Sequence, residues 1–184
     1  MKKLALAISL FLVLLILVGC ASHSEVLQKQ TETFSNIIKE IKPNQNPVGG
    51  TALIIIPSDV EIQKNYNSLT YSNMRFSQEF LDYVNAARRN FLQFIADAIT
   101  KRRIFDSVSV ARHNGNPASY PIGNSDFIIF MDVDGWFIKE KNKSLIISIP
   151  FPFDKNKPEG VPLIARTEAF LDELNQQAQN LRAK

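Results

Sequence analysis

Cysteine is almost absent. Cys20 is the only one in the chain, so no intramolecular disulfide framework can form. Histidine is scarce as well, with only His23 and His113. A metal site would have to borrow carboxylates, and no group of residues has ligand spacing. GxSxG, HExxH, CxxC, a phosphate-binding Walker loop and a dinucleotide fingerprint are all missing, which counts against an enzyme. Neither sign of charge dominates, with 21 Lys and Arg against 18 Asp and Glu. If residues 1–19 are removed, Lys2 and Lys3 go with them and the remainder is close to neutral. Nucleic-acid binding needs a far stronger basic excess and is discounted as a partner. What the chain does have is a hydrophobic content of 45% and thirteen Phe, enough to build one core without metals or staples.

The most specific signal is at the start. Lys2 and Lys3 precede an apolar run, Leu4–Val18, broken only by Ser9, and Gly19-Cys20 follows. A charged start, an apolar centre and a small residue at the cut describe a secretory signal peptide. Such a run can enter a bilayer as a helix with its backbone groups bonded internally. Leu17-Val18-Gly19-Cys20 resembles the lipobox of bacterial lipoproteins. That resemblance covers the first twenty residues. It implies cleavage after Gly19, a thioether-linked diacylglycerol on Cys20, and N-palmitoylation of the new terminus. The thiol is the nucleophile in that chemistry, which Ser or Ala cannot replace. The next residues are Ala21 and Ser22, with no Asp after the cysteine, which in the enterobacterial pattern implies transfer to the outer membrane, facing the periplasm. An uncleaved membrane anchor, a non-acylated signal peptide and a buried N-terminal helix are the alternatives.

Beyond the signal peptide (1–19), residues 20–50 read as a lipidated tether with a short helix. Within Ser24–Ile41, the residues Val26, Leu27, Phe34, Ile37, Ile38 and Ile41 fall mostly at helical spacing. The breaker cluster Lys42–Gly50 closes the tether, and 51–184 reads as a single domain. Thr51–Pro57 is an apolar, β-branched strand candidate. Ser77–Arg103 is a long helix capped by Ser77, with Phe80, Val84, Ala87, Phe91, Phe94 and Ile95 on its apolar side. Phe105–Ala111 and Ser144–Ile149 are further strands. Ser125–Lys139 reads as one long strand kinked at Gly135. A C-terminal helix carries Phe170, Leu171, Leu174, Ala178 and Leu181. The expected fold class is α+β: a mostly antiparallel sheet of about four strands with the long helix and the C-terminal helix on one face. The order strand, long helix, strand, strand is similar in pattern to small domains of periplasmic auxiliary lipoproteins, including those serving ABC transporters. No residue motif carries that similarity, so it assigns no site.

Four groups are candidates for chemistry. Asp132 and Asp134 alternate on a strand and share a face, as a cation site or an acid/base pair requires; the solvent face of the strand, or its end before Gly135, is the plainer reading and the favoured one. His113 reads as an exposed loop histidine. Arg88, Arg89, Lys101, Arg102 and Arg103 suit anionic headgroups or a solvated helix face. Phe151, Pro152 and Phe153 with Trp136 and Phe137 suit an exposed patch or the edge of the core. The expected function is a non-catalytic, membrane-anchored binding or assembly module with an envelope protein partner, a covalent acyl anchor in membrane lipid and no cofactor. The alternative is a lipid-anchored hydrolase using Asp132, Asp134 and His113.

Overall fold

The computed structural model describes residues 23–62, 77–121, 123–132, 135–149 and 161–183. The expected signal peptide (1–19), Cys20, Asp134 and Phe151 to Phe153 lie outside the described residues. Among the described residues, no helix is long and apolar enough to cross a membrane.

Residues 23–40 form one helix, α1. The segment expected to be a tether with a short helix thus lends Phe34, Ile37 and, just past the helix, Ile41 to the hydrophobic core. Their three- and four-residue steps line one side of the helix. After the Pro and Gly breakers come β1 (Thr51–Pro57) and a helical turn, α2 (residues 59–62). The long helix α3 spans Gln78–Arg102. It starts where expected, with the Ser77 side chain accepting from the Phe80 N–H at 3.2 Å. It ends where Arg103 turns left-handed at φ 54°.

α1 and α3 lie side by side and run in the same direction. His23 stacks on Tyr83 at 4.7 Å, Gln30 donates to the Ala87 carbonyl at 3.3 Å, and Phe34 stacks on Phe94 at 4.3 Å. The Asn44 N–H closes the run on the Arg102 carbonyl at 2.6 Å. The C-terminal helix α4 (Leu163–Ala183) buries all five of its expected apolar residues. Arg102 ties α3 to it through Glu168 at 2.8 Å and through Asp172.

The sheet departs from the expectation in two respects. It has five strands, in the order β2 (Ser107–His113), β1, β3 (Phe127–Asp132), β4 (Gly135–Glu140), β5 (Ile146–Ile149). It is also mixed: β1 pairs in parallel with both β2 and β3, and only β3–β4–β5 is antiparallel. The fifth strand arises because the expected kink at Gly135 is a hairpin, in which Asp132 pairs with Gly135 across two residues. The parallel pairs follow from connection length. A 25-residue helix between β1 and β2 carries the chain back to its starting edge, as a parallel pair requires. The link from β2 to β3 does the same over the other face, where its 3₁₀ turn, Pro117–Ser119, packs against β1 and β3.

The two faces of the sheet are unequal. One joins all three long helices in the main core through Ile54, Ile56, Phe127, Ile129, Trp136 and Ile138. The other buries a smaller cluster of Leu53, Ile55, Ile128 and Phe130, with Tyr120 and Phe137 packed against it.

At the start of β1, Gly50 adopts φ +80°, and a Cβ there would stand 2.8 Å from Asp126 Oδ2. That carboxylate accepts from the Thr51 N–H at 2.8 Å and from its hydroxyl at 3.0 Å. The backbone N–H first, then the hydroxyl, hold its pKa below the ordinary value of 3.8, with Arg182 and Lys141 adding to the effect. A depressed native pKa favours folding above the ordinary value, and that contribution fades as pH falls through the native one. In acid melts below about pH 4, Asp126→Asn should therefore lose stability less steeply than the wild type. Parallel curves would show that Asp126 contributes nothing to acid sensitivity.

Candidate functional site

Because α3 returns the chain from the end of β1 to the start of β2, it runs against the strands. Its second half buries Leu92, Phe94, Ile95, Ala96, Ala98 and Ile99 in the core, whereas residues 80–91 are half-buried apart from exposed Asp82. The first half thus reaches past the carboxyl edge of β1, β2 and β3. In open α/β sheets, ligand crevices form outside that edge.

His113 and Asp132 both come to this edge. His113 is the last residue of β2, level with Pro57 of β1, and its carbonyl accepts the Ser58 N–H at 2.9 Å. Continuing the β1–β3 register places the Asp132 backbone on the other side of Pro57. Two strand spacings, about 10 Å, then separate the His113 and Asp132 backbones. His113 is not the exposed loop residue the Asn- and Gly-rich stretch suggested. It is 5% exposed, and neither ring nitrogen has a hydrogen-bond partner among the described residues.

The expected cation group divides in two. Lys101, Arg102 and Arg103 sit at the C-terminal end of α3, about 20 Å from Arg88 and Arg89 at 1.5 Å per residue. Arg102 is neutralised by Glu168 and Asp172. Arg89 pairs with Asp59 at 2.9 Å, and Arg112 of β2 approaches the same carboxylate at 3.7 Å. Arg112 also donates to Gln93 Oε1 at 3.4 Å.

Arg88 differs from the others. Helical spacing sets it at the centre of the α3 face that buries Leu92, Ile95 and Ile99. The apolar pattern had assigned it to the polar side because α3 has two packed flanks. Phe91 and Phe94 meet α1, and the second flank faces the core. Arg88 is partly buried, which lowers its pKa from the ordinary guanidinium value. It forms no ion pair or hydrogen bond among the described residues. One turn earlier on the same face, the buried Oδ1 of Asn85 also lacks a partner. Sequence reading missed Asp59, Asn85 and Arg112, none of which belongs to a motif.

Two further features complete the surface. An open groove of about 350 Å³ runs between α1 and α3 over Phe34, Ile38 and Phe94, rimmed by Asn90, Gln93 and Asp97, on the flank of α3 opposite Arg88. Trp136 belongs to the main core, 1% exposed and edge-on to Phe170 at 6.0 Å. Phe137 points to the other face and stacks on Phe130 at 5.5 Å. Among the described residues, no cluster of His, Cys, Asp and Glu could hold a metal ion. No family model, curated protein or solved structure matches the chain.

Proposed function

We propose that this protein is an envelope lipoprotein, cleaved after Gly19, acylated on Cys20 and held at the outer membrane facing the periplasm. Its α/β body works there as a non-catalytic binding or assembly module for an envelope partner. The carrying observation is the position of the sole cysteine directly behind Lys2-Lys3, the apolar run and Gly19. A second point supports it: α1 is already helical at residue 23, the first described residue, and packs along α3. Acyl chains on Cys20 would therefore keep the leading ends of both helices beside the bilayer. Intact-mass spectrometry of the protein extracted from membranes is the test. The expected species starts at Cys20 and carries the mass of a diacylglyceryl group and one further acyl chain. A free thiol at position 20 with Met1 still present overturns the reading.

The hydrolase alternative draws on the buried ring of His113. A general-base histidine is held in one tautomer by a hydrogen-bonded partner. Among the described residues none supplies such a partner to His113.

A further inference from the structure

We infer that the carboxyl edge of the parallel strands holds a site for a phosphate group, with the Arg88 guanidinium as its principal contact and Arg89 and Arg112 beside it. The inference rests on the reading of the body as a binding module. The shared chemistry is the phosphate, supplied by a phospholipid headgroup or by a free phosphate.

The observation behind it is a contrast along one helix. Arg88 and Arg102 occupy the same face of α3, fourteen residues apart. At Arg102, Glu168 and Asp172 provide two carboxylates; at Arg88 no described residue provides any. Taking a cation out of water without a counter-charge is costly, and a guanidinium fork is shaped to meet an oxyanion with two hydrogen bonds. The surroundings favour an anion too. Arg89 and Arg112 both approach the carboxylate of Asp59, two guanidinium groups to one carboxylate in that cluster. The Oδ1 of Asn85, without a partner among the described residues, adds an acceptor for the hydroxyl of a protonated phosphate or a glycerol headgroup.

Position links the site to the bilayer. His23 stacks on Tyr83, and Arg88 lies five residues further on, about 8 Å along the helix axis. With Cys20 acylated, the site stands at headgroup depth.

Isothermal titration calorimetry on the full protein in neutral detergent tests this. The probes are inorganic phosphate, dihexanoyl phosphatidylglycerol and, as a phosphate-free control, dihexanoylglycerol. Saturable binding of a phosphate probe is expected, with none for the control. Arg88→Gln should weaken it at least tenfold and Arg112→Gln several-fold, while Lys101→Gln at the far end of α3 stays within twofold. Binding of the lipid tenfold tighter than inorganic phosphate identifies a headgroup site; equal affinities identify a free-phosphate site. No binding of either probe, or Arg88→Gln binding like wild type, overturns the proposal, as does an equal loss in Lys101→Gln. If Arg88→Gln does not fold, Arg112→Gln carries the test, and unchanged binding there is equally fatal. Acylation plays no part in the inorganic-phosphate titration. Its failure is therefore distinct from failure of the lipoprotein reading, which the intact mass reports.

Discussion

Cys20→Ala should abolish incorporation of a palmitate analogue and leave a precursor that still carries its first 19 residues. Both effects have one cause: lipid attachment needs a sulfur nucleophile at that position, and the lipobox pattern implies that cleavage follows attachment. The Ala side chain offers no nucleophile, and no second cysteine can substitute. The consequence for placement is large. Each buried methylene contributes about 0.8 kcal/mol of membrane affinity, so one chain holds marginally while two or three hold almost permanently. The mutant should remain attached only through the uncleaved apolar run, Leu4–Val18. Labelling followed by gel mobility reads both outcomes at once. A mutant with wild-type labelling and wild-type size would defeat the lipoprotein assignment.

Trp136→Ala should destabilise the fold by about 3–5 kcal/mol, the usual range for removing a large buried aromatic. Trp136 is 1% exposed. It pairs across the sheet with Met131 and Ile149 and meets Phe170 of α4 edge-on. Its loss opens a cavity where the sheet and α4 join, a place that cannot collapse without moving one layer on the other. Against a total stability of about 5–15 kcal/mol, the variant should be marginal at physiological temperature. The neighbouring Phe137 is the internal control. It lies on the opposite face, half-buried over Phe130, so Phe137→Ala should cost clearly less. Urea midpoints of the two variants decide the matter. Equal midpoints would mean that the two faces of β4 are packed alike, contrary to the burial described above.

The elements that could be read from the chain are those whose cause is local. Ser77 caps α3 through a bond to its own third neighbour. Pro43, Pro47 and the Gly49-Gly50 pair stop α1 from continuing, and the stripe Phe170, Leu171, Leu174, Ala178, Leu181 marks α4 at helical spacing. The errors have causes that are not local. Gly135 reads equally as a kink or as a hairpin end until Asp132 is seen to pair with it. The direction of β3 depends on a link that crosses the sheet's second face, and no residue within that link declares its route.

The candidate site follows the same division. The sequence alone supplied the Lys pair, apolar run and Gly19-Cys20 from which the proposed lipid anchor is argued, the absence of standard catalytic motifs, and the helix that carries Arg88. Only the tertiary structure decided that Arg88 turns inward with no carboxylate partner among the described residues while Arg102 turns inward to two, and that His113 is buried at the end of a strand. Helical and strand periodicity are set by neighbours within a few residues. Burial and charge pairing are set by whichever distant segment packs alongside, and that is a property of the assembled sheet and helices.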